Sequence, residues 1–422
     1  MAGTPGSFVF TDWVAPECLR LLENMLEMAG YANFSFNAEY DRDFAIGDTV
    51  RIKFPQEWVV TDGMEYNPQA INRNFTTATM DNWMQIGFEW DSLEKALKLE
   101  RSKKEISEQY LNPAMVQMAQ ECELRFMDFA FFNTPNVVGS LAAIPTAWTT
   151  YAQARSLLVK YAGWGASTKR ALGVTPDMMQ TLITNSLTQF NPTDEISRQY
   201  KLGSIGKAAG WDWFESMSCH THTTGVWNNF TTGVTVNLSG QSGSTINLNC
   251  TTGDTFLRGD IITFASSFGV NPRTKRSIGA LRQFKIMANA TGVASAVTLS
   301  IYPSIIGPGS PYQNVTALPL NNDACVSWPG TSFSNGVAKT GTLGVGLNNL
   351  NTAMVGAELP NPEEGGNIEI AAHHTDDNTG LSMALVRAFD PLLRRWINRF
   401  DMLIGFGPLY ADRCGVLVGS LS

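Results

Sequence analysis

Residues 258–265 read RGDIITFA, a turn followed by an apolar run, and they lie in a segment whose composition differs from its surroundings. From Val226 to Val345 the chain carries seven Lys or Arg, three Asp and no Glu, so this segment is +4 whereas the whole chain is −8. Short alternating runs separated by Gly, Ser, Asn and Pro predict strands near 234–238, 246–248, 261–264 and 297–301. We therefore predict a small inserted β-barrel or sandwich that folds by itself, with the host domain continuing on both sides.

The first hundred residues predict an arm and a flap. Apolar spacing predicts a helix over 14–29, with Pro16 in its first turn and Gly30 as its stop. Alternation predicts strands over 48–54 and 83–90. The 28 residues between Phe54 and Trp83 are too many for a tight hairpin. The two strands therefore look like the legs of a long flap, and we expect residues 46–92 to be held by a neighbouring subunit.

The rest of the host sequence has α+β character. A long helix is predicted over 114–132, with Asn112 and Pro113 as cap and first helical residue. Further helices are predicted at 150–161 and, after the capping Thr175, at 176–187. After the insertion, strands are predicted at 367–372, 381–389 and 415–418.

Composition limits the function classes. Only 16% of the 422 residues are charged, against about 25% in a typical soluble domain. We therefore expect much of the surface to be covered in an assembly. We predict no membrane span, because no apolar run approaches about 20 residues. We also predict no secretory signal, because the start MAGTPGSFVFTDW lacks a basic flank followed by an apolar core. The six cysteines form no CxxC pair, which favours free thiols in a reducing cytoplasm.

No motif points to catalysis, a cofactor or a metal. The histidines His220 and His222, beside Cys219, lack a fourth ligand and are interpreted as one polar face of a strand. Adjacent His373 and His374 would point to opposite faces. The run at 203–208 lacks the pattern of a phosphate loop, and no nucleophile elbow is present. The pI of 5.2 argues against a basic groove, so we expect only weak, non-specific contact with nucleic acid. We predict that the chain is not an enzyme.

The order of these elements resembles the major capsid proteins of tailed phages, the Hong Kong 97 fold. The inserted β domain resembles that of the P-22 type of coat protein. The residues that carry the resemblance run from Tyr200 to Gly225, and include Gly210, Trp211 and Asp212. Within the insertion, RGDIITFA at 258–265 is similar to a strand of that family, as is the YQNV segment at 312–315. The closing segment RCGVLVG at 413–419 is similar as well.

The resemblance implies a domain organisation, which is as follows: N-terminal arm 1–45, E-loop 46–92, P domain with its spine helix 93–146, A domain 147–225, inserted β-barrel 226–345, and return to the A and P domains 346–422. It implies a coat protein that assembles into an icosahedral shell of hexamers and pentamers around packaged double-stranded DNA. It also implies a scaffolding protein and a portal as partners, assembly in the host cytoplasm, and a final location in the virion.

Interface residues are expected on two segments. The flap offers Arg51, Lys53 and Trp58. The family's charged loop between capsomers is reduced here to the uncharged segment 238–246, so we expect the basic turn with Arg273, Lys275 and Arg276 to pair with acidic residues of an adjacent subunit. The alternative is a carbohydrate-binding or adhesion module on a virion or cell surface, suggested by aromatic residues of the insertion, namely Trp227, Tyr302 and Trp328.

Overall fold

The computed structural model describes most of the chain, namely residues 8–35, 49–58, 60, 63–64, 68–71, 74–91, 107–141, 144–166, 169–186, 205–227, 233–328, 337–359, 368–376, 379–392 and 395–421. The chain forms two compact units that alternate along the sequence. Unit 1 contains Met1–Phe54, Phe75–Phe126 and Thr352–Pro408. Unit 2 contains Pro55–Asn74, Met127–Asn351 and Leu409–Ser422.

The described residues include five α-helices, which are α1 (Phe8–Met25), α2 (Asn112–Asn133), α3 (Trp148–Lys160), α4 (Pro176–Ser186) and α5 (Ala411–Cys414). The strands of the first half are β1 (Thr49–Lys53), β2 (Phe75–Asp91), β3 (Val137–Leu141), β4 (Arg170–Val174), β5 (Lys207–Ala208), β6 (Trp211–Glu215), β7 (Thr221–Thr223), β8 (Thr235–Val236), β9 (Gly243–Asn249) and β10 (Thr255–Phe256). Those of the second half are β11 (Ile261–Val270), β12 (Ser277–Ile286), β13 (Ala290–Thr291), β14 (Ala296–Ile305), β15 (Cys325–Ser327), β16 (Thr340–Asn348), β17 (Thr352–Ala357), β18 (Ile368–Thr375), β19 (Ser382–Asp390), β20 (Arg395–Pro408) and β21 (Gly415–Leu421).

Unit 1 is built on a six-stranded antiparallel sheet. Its strand order is β1-β2-β20-β19-β18, and β17 also pairs with β20. Helix α1 packs on β18 and β19. Phe126 of α2 meets Phe406 of β20 edge to face, with ring centroids 6.0 Å apart. The unit's core therefore lies between this sheet and the helices.

A buried carboxylate fixes the chain after α1. Glu123 of α2 accepts the backbone N–H of Met28 at 2.8 Å and that of Ala29 at 3.0 Å. Burial raises the pKa of Glu123, although the two amide hydrogen bonds act against that rise. Because these two N–H groups are taken, residues 29–31 turn as a 3₁₀ helix instead of continuing α1.

Unit 2 contains a seven-stranded mixed sheet in the order β3-β21-β16-β4-β6-β5, with β7 also paired to β16. The pairs β3/β21 and β4/β6 are parallel. Helix α3 packs on β21 and β3. The core beneath the helices contains fully buried Tyr151, Leu158, Leu172, Trp211 and Val416.

The segment predicted to be an insertion, residues 226–345, contains a separate sheet with its own core, and we keep the name insertion for this segment. Its six strands follow the order β15-β11-β12-β14-β9-β8. Val236 donates to the carbonyl of Asp323 and Cys325 donates to that of Val234, both at 2.9 Å, so backbone hydrogen bonds also join the two ends of this sheet. The buried apolar residues inside it include Phe256, Phe264, Phe284, Ile246 and Leu299, among others.

The chain enters and leaves the insertion side by side. Thr224 N–H donates to the carbonyl of Lys339 at 2.8 Å, and Lys339 N–H donates to Thr224 Oγ1 at 3.0 Å. Thr223 is paired with Thr340, the first residue of β16. The predicted boundary at Val345 lies within β16, which pairs with β21, β4 and β7, and the domain assignment stays a prediction.

The long helix and both shorter ones were predicted to within about two residues, whereas the first helix was wrong at both ends. Helix α1 begins at Phe8, so Pro16 lies inside it instead of in its first turn. It ends at Met25, before Gly30, because Glu123 captures the following amides.

The second leg of the flap is longer than predicted. Strand β2 starts at Phe75, eight residues before Trp83, and its first residues pair with β1 in the register Thr49↔Thr79. On its other side β2 pairs with β20, from Thr79↔Phe406 to Asp91↔Arg395. The threonines at 76, 77 and 79 hide the alternation, although threonine suits a strand.

Candidate functional site

The flap tip, residues 54–74 between β1 and β2, exposes large apolar side chains. Trp58 is 57% exposed, and Val60, Met64 and Ile71 are more so. Gln56 Nε2 donates to the carbonyl of Ala70 at 2.7 Å and so joins the two sides of the tip. A single chain therefore leaves a group of apolar side chains in water on this segment, a feature typical of association surfaces.

Glu57 fastens the flap tip within unit 2. Its carboxylate forms an ion pair with Arg413 of α5 and lies 3.9 Å from Lys275 Nζ. Its backbone N–H donates to Tyr312 Oη at 3.5 Å. The turn that bears Lys275 belongs to the insertion, so one flap residue contacts both the insertion and α5.

Arg413 is the centre of a short chain of alternating charges. Asp412 Oδ2 lies 3.7 Å from Arg413 Nε and 3.3 Å from Arg282 Nη2. Burial acts to lower the pKa of Arg413, but Asp412 and Glu57 outweigh it and the pKa is raised. The Arg282 guanidinium lies over the ring of Tyr161, 4.4 Å from its centroid. Two carboxylates and two guanidinium groups thus balance one another in a partly buried position.

The basic turn from Arg273 to Arg276 is held by Asn271. Asn271 Oδ1 accepts the N–H groups of Arg273 and Thr274 at 3.0 and 3.1 Å. Lys275 turns inward, where it donates to the carbonyl of Pro311. Burial lowers the pKa of Lys275, and nearby Arg413 adds to this while Glu57 opposes it. Arg273 and Arg276 stay exposed. Of the three interface residues expected on this turn, Lys275 therefore makes contacts within the chain, whereas the two arginines face solvent.

The expected flap residues of β1 face solvent. Arg51 and Lys53 alternate with buried Val50 and Ile52. The Arg51 guanidinium lies 5.2 Å from the ring centroid of Phe75. Both cations are accessible, and their role at an interface stays a prediction.

The two histidines near Cys219 lie in a buried cluster instead of on an open polar face. His222 is 6% exposed, and its Nε2 lies 2.8 Å from Asp260 Oδ1. His220 Nδ1 lies 2.6 Å from Asp128 Oδ1. The His220 ring also stacks on Phe131, with centroids 4.3 Å apart. Burial lowers the pKa of His220, although the hydrogen bond with Asp128 opposes this.

Lys285 of β12 completes this cluster at the end of the long helix α2. Its fully buried ammonium donates to the carbonyl of Phe131 and, at 3.1 Å, to that of Thr134. It also lies 3.7 Å from the ring centroid of Phe131. Burial lowers the pKa of Lys285, and Arg258 adds to that effect. The two carbonyls lie at the C-terminal end of α2, so the hydrogen bonds of Lys285 attach the insertion to this helix.

Sequence reasoning missed the partners of these groups. Glu57, Asp128 and Lys285 were not singled out, and Asp260 was assigned only to a hairpin turn. One signal was present in the sequence, since Lys285 interrupts the otherwise apolar run FKIM at 284–287. A lysine in such a run is typical of a buried cation with specific acceptors.

Trp227, one of the aromatic residues behind the carbohydrate-binding alternative, does not lie on an open face. Trp227 is 5% exposed and packs against Phe256 with ring centroids 5.0 Å apart. It belongs to the core of the insertion. Sugar-binding aromatics need an accessible ring, so Trp227 gives that alternative no support.

Among the described residues, no group of three His, Cys, Asp or Glu side chains is placed to hold a metal ion. His373, on β18, has its Nε2 3.6 Å from a Glu358 carboxylate oxygen. No helix in the described part of the chain is long and apolar enough to cross a membrane.

Comparisons with known proteins gave matches among solved structures. No family model matches the chain, and no curated protein does. A structure described as "Mycobacterium phage Che8" is 12% identical and covers 93% of this chain and 90% of its own, with a TM-score of 0.46. "Capsid structure of the Cyanophage P-SCSP1u" is 11% identical, covers 90% and 84%, and has a TM-score of 0.39. "CUS-3 coat protein I-domain" is 21% identical and covers 23% of this chain and 95% of its own, with a TM-score of 0.18.

Proposed function

We propose that the chain is a major capsid protein of a tailed phage, a coat protein that assembles with copies of itself into an icosahedral shell around double-stranded DNA. The observation that carries this is the flap. Strands β1 and β2 pair in a defined register, yet the segment between them leaves Trp58, Val60, Met64 and Ile71 in water. Such a surface is costly for a monomer and is accounted for when a second copy covers it.

The domain assignment follows from the sequence resemblance, and the geometry supports it. Residues 46–92 are the E-loop and α2 is the spine helix of the P domain. Residues 147–225 form the A domain, to which the chain returns after the insertion. The insertion is a β-barrel, supported by the hydrogen bonds that join the ends of its sheet. We place its end at Lys339, because β16 belongs to the host sheet.

The partners are those of a shell protein. We assign hexamers and pentamers of this chain, a scaffolding protein, a portal, and weak, non-specific contact with packaged DNA. Assembly takes place in the host cytoplasm and the product is the virion capsid. The role is structural, and the low content of charged residues fits a surface that is largely covered in the assembled state.

Expression together with the neighbouring genes tests the proposal. Closed particles far larger than the 46.2 kDa chain should sediment rapidly and appear as shells in electron micrographs. Trp58→Ser combined with Ile71→Ser should reduce particle yield at least tenfold. Val293→Ser, which alters an exposed apolar residue of the insertion, is the matched control and should leave the yield unchanged. A wild-type chain that stays monomeric or forms only small oligomers would refute the shell function.

A further inference from the structure

A cleft of about 320 Å³ opens beside the edge of the seven-stranded sheet in unit 2. Its walls come from β3 and from two elements beside it, α3 and β12. Gly139 belongs to β3, Ser156 and Lys160 to α3, and Leu281 to β12, while Trp328 closes one end. The cleft combines an apolar floor with a backbone edge, which is the arrangement that accepts an extended peptide.

The backbone edge of β3 is open toward this cleft. Among the described residues β3 has β21 on one side and no strand on the other. The carbonyl of Asn136 accepts Leu417 N–H from β21, so strand alternation turns the N–H and C=O groups of Val137 and Gly139 toward the cleft.

One position on this edge is already occupied by an amide. Gln283 Oε1 accepts Val137 N–H at 2.8 Å, and Gln283 Nε2 donates to the Val137 carbonyl at 3.0 Å. The side chain therefore makes the two hydrogen bonds that an added strand would make. Gly139 is the next position along the same edge, and it lines the cleft together with Trp328.

The rim of the cleft is cationic. Lys160 stands at the end of α3, and Asn271 Nδ2 donates to its carbonyl at 2.6 Å, which brings the basic turn to the same place. In the part of the chain that the structure describes, Lys160, Arg273 and Arg276 have no carboxylate within ion-pair distance. Since no acidic side chain lines the cleft, the peptide that complements it is acidic.

We propose that residues 36–48 of a second copy of this chain bind in the cleft as a strand added to β3. This segment reads FNAEYDRDFAIGD and lies outside the described residues. It carries four acidic residues and one arginine. Its apolar residues Phe36, Ala38, Tyr40, Phe44 and Ile46 alternate with polar or small ones, a pattern typical of a strand with one buried face. The inference rests on the proposed function, because the shell is what brings a second copy within contact distance.

Disulfide trapping between two single variants tests the contact. Asp41→Cys and Ser156→Cys are co-expressed as separate chains and oxidised, and both soluble and rapidly sedimenting fractions are run on a non-reducing gel. Ser156 is exposed on α3, and the six native cysteines are buried and free, so background should be low. A product of twice the chain mass is expected. Val159→Cys, half-exposed on α3 and outside the cleft lining, replaces Ser156→Cys as control and should trap at least tenfold less.

Charge reversal provides the second arm. Lys160→Glu with Arg273→Glu should reduce trapping about tenfold, because two surface ion pairs become repulsive. Equal trapping with Ser156→Cys and Val159→Cys would overturn the inference. A chain that carries both substitutions can also be oxidised at high dilution. If the disulfide forms only within that single chain, the segment binds its own copy and the inference is overturned. Particles that form without this crosslink would overturn the inference and leave the shell function intact. Crosslinked dimers without particles would overturn the shell function and leave the contact between two copies intact.

Discussion

Replacing Glu57 by Gln should release the flap tip from unit 2. The substitution keeps the size of the side chain but removes its charge from the pair with Arg413. A charge-assisted hydrogen bond is worth about 1.5–3 kcal/mol. Asp412 still lies 3.7 Å from Arg413, so the larger cost of an isolated buried charge does not apply. The contact with Lys275 is long and partly solvated, and it adds less than about 0.5 kcal/mol. We expect local opening to become easier by about 2 kcal/mol, a factor of about 30.

Hydrogen exchange read by mass spectrometry measures this opening directly. In the unassembled chain, peptides covering residues 54–58 should exchange about 30-fold faster in Glu57→Gln, if exchange follows the opening equilibrium. Glu89→Gln is the control, because its pair with Arg395 is half-exposed and lies in unit 1. That variant should leave residues 54–58 unchanged. A change of less than threefold in Glu57→Gln would show that the ion pair does not hold the flap tip.

Three further outcomes are expected. Burial lowers the pKa of His220 in the folded chain. As the pH drops below about 6.5, His220 therefore takes up a proton in the unfolded chain before it does so in the folded chain. The free energy of unfolding should fall over this range, until the pH reaches the lowered pKa of the folded state. His220→Gln should flatten that part of a urea-midpoint profile, and an unchanged slope would contradict this. Gly225→Ala would place Cβ 2.1 Å from the Thr255 carbonyl oxygen and should cost more than about 2 kcal/mol; Gly165→Ala, with nothing within 4 Å, should change stability by less than about 0.5 kcal/mol in thermal melts. Burial raises the pKa of Cys18, Cys122 and Cys414 to about 12. A thiol reagent at neutral pH should therefore label no cysteine in the native chain and six cysteines after unfolding. A native thiol that reacts fast would contradict the buried positions of the cysteines.

Local signals in the sequence predicted α2 and α4 because specific residues mark the starts of these two helices. Asn112 and Pro113 are the first residues of α2, and Thr175 Oγ1 accepts the N–H of Met178 at the start of α4. Alternation likewise predicted four strands between residues 226 and 345, where the structure has β8, β9, β11 and β14. Strand β20 was missed, since it lies inside the sheet, between β19 on one side and β2 and β17 on the other. A strand with neighbours on both sides and buried residues on both faces shows no clean alternation.

The polar contacts of the candidate site are invisible to local pattern for a different reason. Glu57 and Arg413 are separated by 356 positions, and Lys285 finds its acceptors at Phe131 and Thr134, about 150 positions earlier. No period or motif links residues over such distances. Only the folded chain brings them together, so charged residues could be named as interface candidates from the sequence while their actual partners could not.

In the insertion, one set of residues provides stability and another fixes orientation, and this division bears on assembly. Its apolar core, which includes Phe256, Phe264 and Phe284, is enclosed by its own sheet and supplies the driving force for folding. Its attachment to the host is made instead by polar side chains of β12, where Arg282 meets Asp412, Gln283 meets Val137, and Lys285 meets the end of α2. Buried polar groups add little net stability, but they are satisfied only in one geometry. The insertion is therefore held in a fixed orientation on its host, and a fixed orientation is what repeated contacts between identical copies require.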